Sequence, residues 1–124
     1  MTSGSGSAPA RFKDLCLDAR DHQALADWWC AAMGYVRRED GEPVDEPVAI
    51  VDAAGEGPLI WVIPVPEGKV VKNRMHLDVY GDVERLRGLG AVVLQEPDAA
   101  KGIPWHVMRD PEGNEFCVFA PAAA

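Results

Sequence analysis

The chain has 124 residues, of which 48% are hydrophobic and 26% charged, which is the composition of one ordinary globular domain. Its net charge of −8 would repel a phosphate backbone, so nucleic acid is a poor partner and a neutral or cationic small molecule is a better one. No apolar run reaches the roughly 20 residues that span a bilayer, and the first residues lack the charged-then-apolar order of a signal peptide. We therefore expect a cytoplasmic protein with no membrane partner.

The cysteines support the same expectation. Cys16, Cys30 and Cys117 cannot all pair with one another, and their spacing contains no CxxC motif that would indicate a zinc clip or a redox site. A reducing compartment suits such a set.

The first predicted element is a strand. Residues 1–10 consist mainly of Ser, Gly and Ala, cannot offset their ordering entropy by burial, and are predicted to be a disordered tail. The domain is predicted over 11–121, beginning with a strand over 11–18. Alternation places Leu15 and Leu17 on one face of this strand, and it places Asp14 and Cys16 on the other.

A helix is predicted over 21–33, after Asp18 or Asp21 as N-cap and before Gly34 as terminator. Its apolar residues recur at steps of three and four: Leu25, Trp28, Trp29, Ala32 and Met33. We expect both tryptophans to lie mostly in the core. His22 follows a cap position and is predicted to be exposed.

Three further strands are predicted over 35–38, 47–52 and 59–65, separated by turns over 39–46 and 53–57. A basic connector, 66–73, follows. Its lysines and the adjoining Arg74 are interpreted as a charged linker, with an anion clamp over a binding cup as the alternative; the residues concerned are Lys69, Lys72 and Arg74.

The order then repeats, with a helix over 82–89 and strands over 75–79, 91–95, 104–108 and 116–119. Similarity between the halves is concentrated at two places. Gly34-Tyr35-Val36 corresponds to Gly90-Ala91-Val92, and Asp52-Ala53-Ala54-Gly55 corresponds to Asp110-Pro111-Glu112-Gly113.

We therefore predict an α+β domain of two βαβββ modules, about 11–65 and 74–121. Each half alone would leave a sheet face uncovered, so the helices should cover one face and the opposite faces should curve around a shared cup. The sheet walls are predicted to contain Leu15, Leu59, His76 and Phe116.

Three segments resemble the vicinal oxygen chelate superfamily, which includes glyoxalase I, extradiol dioxygenases and bleomycin-resistance proteins. They are Leu25-Ala26-Asp27-Trp28-Trp29 through Met33-Gly34, Lys72-Asn73-Arg74-Met75-His76-Leu77-Asp78-Val79, and the stretch from Val107 to Val118 that contains Asp110-Pro111-Glu112-Gly113-Asn114. With their spacing they cover nearly all of 11–121. The pattern is specific for the fold, particularly its glyoxalase-like subgroup, and much less specific for an activity.

The resemblance implies four positions for metal ligands, on the first and last strands of each module. Here they carry Asp14, Trp61, His76 and Cys117. His76 is the usual residue type, whereas Asp14 replaces a customary His or Gln, Trp61 cannot bind a metal and Cys117 replaces a carboxylate. No resident metal is therefore expected. Asp14, His76 and Cys117 remain the alternative set for a divalent ion such as zinc.

His76 is the strongest single candidate for the site. Alternation places it with Asp78 on the cup face, and places Leu77 and Val79 towards the helix. His76 is interpreted as a ligand contact or catalytic base, the alternative being a hydrogen-bonded structural histidine. Asp78 either orients the ring or closes a polar network.

The remaining candidates are apolar or weakly polar. Trp61 and Ile63 share a strand face and either stack on a ligand or pack in the core. Trp105 has the same two interpretations, and its neighbour His106 either reaches the cup or is a satisfied polar residue. Cys117 is interpreted as a small buried residue rather than a nucleophile.

The sequence predicts a small-molecule binding protein, independent of metal, whose cup holds a hydrophobic or cationic compound. The alternative is a metal-dependent lyase, isomerase or dioxygenase that uses His76 with Asp14 and Cys117. The missing carboxylate ligands favour binding. A homodimer is possible, since the cup could form within one chain or between exchanged modules.

Overall fold

The protein is described by a computed structural model that covers residues 8–39, 41 and 43–120; residues 1–7 of the predicted tail lie outside this description. The first module contains β1 (Leu15–Ala19), α1 (His22–Met33), β2 (Tyr35–Arg37), β3 (Val48–Asp52) and β4 (Ile60–Pro64). The second contains β5 (Leu77–Tyr80), α2 (Val83–Gly88), β6 (Val92–Gln95), β7 (His106–Arg109) and β8 (Glu115–Phe119), with a 3₁₀ turn at Ala99–Lys101. Within the described part of the chain, neither helix is long and apolar enough to cross a membrane.

Each module forms one mixed sheet of four strands. The strand orders are β1-β4-β3-β2 and β5-β8-β7-β6. In both sheets the first strand runs parallel to the last, and the other neighbouring strands pair antiparallel. The two sheets have the same topology, which confirms the predicted α+β fold of two tandem βαβββ modules that form a cup.

Several strand boundaries differ from the prediction. The first strand begins at Leu15 rather than at residue 11, because its pairing with β4 starts where the Leu15 N–H donates to the Leu59 carbonyl oxygen at 3.1 Å. Strand β7 begins after Pro104, which has no N–H to contribute to a ladder. Strands β4 and β5 begin at Ile60 and Leu77, so Leu59 and His76 lie directly before these strands instead of within them.

Helix α1 has the predicted length and signals. The Asp21 carboxylate accepts the Ala24 N–H at 3.1 Å, and the helix ends at Gly34, whose φ of 73° lies in the left-handed region. Gly90, the matching residue after α2, also has a positive φ, of 107°. The two helix ends that looked alike in sequence therefore have the same kind of backbone turn.

One core spans both modules on the side of the sheets that the helices cover. It joins α1 to both sheets: the Trp29 ring packs edge-on to Phe116 of β8 at 5.0 Å between centroids, and Trp28 packs on Trp29 at 4.9 Å. Trp29 is buried and Trp28 is half-buried against the same cluster, which confirms the core prediction for both.

The prediction for His22 is wrong. Its side chain is buried, and its Nε2 donates to the Glu46 carbonyl oxygen at 2.8 Å. Residues 43–46, which lead into β3, lie over the start of α1, where the Gln23 side chain also donates to the Val44 carbonyl oxygen. A position beside a helix cap gives no sign that a distant loop will cover it.

The turn between β7 and β8 fastens the second module to α1. The buried Asp110 carboxylate accepts the indole N–H of Trp29 at 2.9 Å and the backbone N–H groups of Glu112 and Asn114. The Glu112 carboxylate accepts the backbone N–H groups of Arg20 and Asp21, just before α1 begins. A carboxylate there both satisfies free donors and complements the helix dipole.

Candidate functional site

The open face of each sheet, meaning the face turned away from the helices, carries the predicted site residues. Leu15, Leu17, Leu77 and Val79 pack against the core, so the predicted alternation of β1 and β5 is confirmed. The intervening residues, including Cys16 and Asp78, consequently lie on the open face.

Three predicted residues meet on the open face of the second module. One ligand atom from each of His76, Asp78 and Cys117 lies within 4.8 Å of the other two. The imidazole Nε2 of His76 is 3.4 Å from Asp78 Oδ1, and Asp78 pairs with Cys117 across β5 and β8. His76 and Asp78 are exposed, whereas Cys117 is buried. We call these residues the His76 cluster.

The Cys117 thiol in this cluster holds its proton firmly. Burial raises its pKa, the Asp78 carboxylate raises it further, and the Trp105 indole N–H and the Lys72 ammonium only partly oppose them. A metal-ligating cysteine must lose that proton. A divalent ion held by these three adjacent residues would therefore have to displace the thiol proton on binding.

Asp14, the fourth polar candidate, is not a member of the His76 cluster. Its carboxylate accepts hydrogen bonds from Lys13 Nζ at 2.6 Å and from Cys16 Sγ at 3.9 Å, and its side chain is largely buried. Asp14 lies at the start of β1, whereas His76 lies at the start of β5.

A cavity of about 350 Å³ separates those two edge strands, and Asp14 and His76 both line it. We call it the β1–β5 cavity. Its other wall residues are mostly apolar and include Leu17, Leu77 and Trp29. This volume is within the range of small-molecule sites, which are typically apolar with a few polar anchors.

Trp61 and Ile63 lie on the open face of the first sheet, where Trp61 pairs with Cys16 and Ile63 pairs with Asp18. The Arg38 guanidinium lies over the Trp61 ring, 4.9 Å from its centroid, as in a cation–π contact. Neither Trp61 nor Ile63 lines the β1–β5 cavity. Arg38 was missed by the sequence analysis, although alternation from Val36 places it on this face.

Trp105, whose facing the sequence left open, lies beside Cys117 and packs on Phe119 at 5.2 Å between ring centroids. It therefore adds an aromatic surface next to the His76 cluster. The imidazole of His106 lies 3.2 Å from a carboxylate oxygen of Glu96, which matches the interpretation of His106 as a satisfied polar residue.

The connector between the modules is tied to β8 beside the β1–β5 cavity. Glu115 accepts from Lys69 Nζ and from the Asn73 backbone N–H, both at 2.9 Å. Burial opposes ionisation of Glu115, but the Asn73 N–H and the Lys69 ammonium outweigh it and lower its pKa to about 2. Lys69 is thus engaged in an ion pair, which favours the linker interpretation. The sequence analysis did not single out Asn73 or Glu115.

Several solved structures have this fold. TioX from Micromonospora sp. ML1 is 19% identical with a TM-score of 0.58, covering 90% of this chain and 98% of TioX. TnmS3, an antibiotic binding protein from Streptomyces sp. CB03234, is 18% identical with a TM-score of 0.62, covering 93% and 99%. A variant of the fosfomycin resistance protein FosX from Listeria monocytogenes, complexed with Mn(II) and 1S,2S-dihydroxypropylphosphonic acid, is 11% identical with a TM-score of 0.70, covering 93% of each chain.

These identities establish the fold alone. No curated protein sequence matches the chain. A family model for the glyoxalase-like domain matches residues 14–119, which extend from the start of β1 to the end of β8. Together with the two matching modules, this match shows that the chain belongs to the glyoxalase-like domain family within the vicinal oxygen chelate superfamily.

Proposed function

We propose that the protein is a metal-independent binding protein for a hydrophobic or cationic small molecule, held in the β1–β5 cavity against His76. The observation that carries the proposal is the cavity itself, which combines a largely apolar wall with Asp14 and His76 at its edge. A few polar groups in an apolar pocket are enough to orient a small ligand.

The charge of the site favours a cation or a neutral compound over an anion. Asp14 and Glu115 line the cavity, and Asp78 adjoins His76. Lys13 pairs with Asp14 at 2.6 Å and Lys69 pairs with Glu115 at 2.9 Å, whereas Asp78 makes no ion pair with a lysine or arginine among the described residues. The whole chain also carries a net charge of −8, which disfavours an anionic ligand at longer range.

Trp61 and Trp105 would add flat apolar surfaces beyond the cavity. Trp105 adjoins Cys117 of the His76 cluster, whereas Trp61 lies on the other sheet with Arg38 over its ring. A ligand that used both tryptophans would span the open faces of the two modules, within one chain or with the second module of another copy in a homodimer. The TnmS3 structure, described as that of an antibiotic binding protein, supports the binding role.

A metal-dependent lyase, isomerase or dioxygenase is the second candidate, favoured by the proximity of His76, Asp78 and Cys117. The FosX complex with Mn(II) shows that a protein of this fold can hold a metal. The raised pKa of Cys117 and the tryptophan at position 61 argue against a metal-dependent enzyme here.

We propose the cytoplasm as the location of the protein, because three unpaired cysteines suit a reducing compartment.

The test is a thermal-shift screen with aromatic cations, neutral aromatic compounds and divalent metals, because a ligand that binds only the folded state raises the melting temperature. For a hit, calorimetry should show binding weakened by about 0.5–1.5 kcal/mol in His76→Ala, the usual range for a neutral hydrogen bond. His106→Ala is the matched control, since His106 pairs with Glu96 instead, and it should bind like the parent.

Trp61→Ala tests whether the ligand spans both sheets. Loss of a stacking surface, worth roughly 1 kcal/mol or more beyond simple burial, should weaken binding about tenfold or further if it does. Should folded His76→Ala and Trp61→Ala both bind like the parent, the ligand site would lie elsewhere. About one zinc, iron or manganese per purified chain, lost in His76→Ala, would instead establish the metal-dependent alternative.

A further inference from the structure

The two modules should make the same contact twice, but they make it once. In the first module, Trp29 lies five residues before Gly34 and donates to Asp110 in the turn of the second module. Five residues before Gly90 in α2 is Arg85, and the turn that corresponds to Asp110 begins at Asp52. If the other helix made the equivalent contact, the Arg85 side chain would therefore bind the Asp52 carboxylate.

The two turns have equivalent backbones. Asp52 accepts the N–H of Ala54, as Asp110 accepts that of Glu112, and in each turn the glycine three residues after the aspartate donates to its carbonyl oxygen. Gly55 and Gly113 have φ values of 76° and 90°. The Asp52 turn therefore has the backbone geometry of the turn that receives Trp29 in the second module.

No side chain of α2 fills that place. A cavity of about 650 Å³ lies between α2, the end of α1 and the Asp52 turn, and Arg85 and Asp52 both line it. We call it the inter-module groove. The Asp52 carboxylate is bound by the backbone N–H groups of Ala54, Glu56 and Gly57, and Arg85 makes no ion pair with any residue that the structure describes.

The residue type at the matching position explains the difference, since Arg85 lies within α2 and as far before Gly90 as Trp29 lies before Gly34. Helix α2 is also the shorter of the two, with 6 residues against 12. Its C-terminal end is nevertheless held in place, because the Trp28 indole N–H donates to the Leu89 carbonyl oxygen at 2.9 Å. The groove is therefore preformed between two fixed walls, which limits the ordering cost of binding.

The groove has an apolar floor and an acidic edge. Met33, Leu86 and Leu89 contribute apolar surface, and Tyr35 contributes an aromatic ring. Asp52 and Asp82 provide two carboxylates against the single guanidinium of Arg85, whereas the Asp78 carboxylate lies on the open face beside His76. The backbone N–H groups of the Asp52 turn, led by that of Ala54, keep the pKa of Asp52 below its ordinary value.

We propose that the inter-module groove is a second small-molecule site, and that it binds a planar aromatic cation where the repeat leaves out the counterpart of the Trp29 indole. We infer a planar ligand because Trp29 occupies the equivalent place against Asp110. We infer a positive charge because carboxylates outnumber the guanidinium in the groove. The site is a different cavity from the β1–β5 cavity, although Trp29 contributes to the wall of each.

Three fluorescent probes of similar shape test this proposal at mildly alkaline pH: protonated 9-aminoacridine, neutral acridine and anionic 9-anthracenecarboxylate. We expect binding in the order cation, neutral compound, anion. Ala31 is exposed and lines the groove, so Ala31→Trp should obstruct it and weaken 9-aminoacridine binding at least tenfold. Ala24→Trp is the matched control, because Ala24 is an exposed residue of the same helix outside the groove, and it should bind within twofold of the parent.

A second variant tests the charge without obstructing the groove. Asp82→Asn keeps a good N-cap for α2 but removes one carboxylate, so it should weaken binding of the cation about threefold or more and leave acridine unchanged. The proposal is overturned if folded Ala31→Trp binds 9-aminoacridine like the parent, or if the anion binds as tightly as the cation. Loss of the probe in His76→Ala but not in Ala31→Trp would place it in the β1–β5 cavity and would also overturn the proposal.

Discussion

The two contacts between helix and turn show how unequal the halves of a repeated fold can become. On one side α1 places Trp29 against Phe116 and Asp110, and the Glu112 carboxylate binds the backbone just before α1. On the other side the shorter α2 stops beside the Asp52 turn and leaves a cavity of about 650 Å³. Equivalent turns thus serve as a structural joint in one place and as the wall of a groove in the other.

Position 57 shows the same divergence. Glu115 lies five residues after Asp110 and binds the connector, whereas the corresponding residue five after Asp52 is Gly57. A Cβ at Gly57 would collide with the Tyr35 hydroxyl oxygen, which donates to the Pro58 carbonyl oxygen. A side chain like that of Glu115 therefore has no room in the first module.

Trp29→Ala should have the largest effect on stability. It removes a buried indole that packs between the modules and leaves Asp110 without that donor, so we expect a loss of about 3–5 kcal/mol in the free energy of unfolding. Urea denaturation measures it, with the half-buried Trp61→Ala as control. If the two variants lost equal stability, the joint would be no stronger than a contact on the open face.

Asp110→Asn and Asp52→Asn compare the two turns directly. An amide cannot accept all the hydrogen bonds that the buried Asp110 carboxylate receives, so this variant should lose about 1–3 kcal/mol. We expect a smaller loss for Asp52→Asn, because among the described residues that carboxylate accepts hydrogen bonds only from backbone N–H groups of its own exposed turn. Chemical denaturation of both variants checks the order, and the reverse order would contradict the assigned roles.

Acid should weaken the link between the connector and the second module. The pKa of Glu115 is lowered to about 2 in the folded protein, below its ordinary value of 4.5. Its stabilisation is therefore fully present above about pH 4.5 and is lost as the pH falls towards 2. Denaturation across this range should show a smaller decline for Glu115→Gln than for the parent; equal declines would assign the acid sensitivity to other carboxylates.

Glu112→Gln should give the smallest change, a loss of about 0.5–1 kcal/mol. The amide still accepts a hydrogen bond near the start of α1 but no longer complements the helix dipole. The exposed Glu67→Gln is a suitable control for removal of a single charge. Because the dipole interaction is screened, the difference between the two variants should diminish in high salt, as melting curves would show; a difference unaffected by salt would point to geometry instead.

Local rules were enough to predict much of this protein. The alternation of β1 and β5, the cap at Asp21 and the glycines after both helices depend on nearby residues, so the module order could be inferred from sequence. The same alternation placed Asp78 on the open face. Trp29 was predicted to be in the core because it belongs to a helical stripe, which needs no knowledge of its distant partner.

Only the tertiary structure decided what those elements meet. Contacts between residues far apart in the chain join Trp29 to Asp110 and bury His22 under residues 43–46. The position of Trp61 outside the β1–β5 cavity also depends on how the two sheets are placed. The inter-module groove likewise depends on a side chain that α2 does not supply. Periodicity shows which way a side chain faces along its own strand or helix, but the packing of one module on the other determines what lies opposite it.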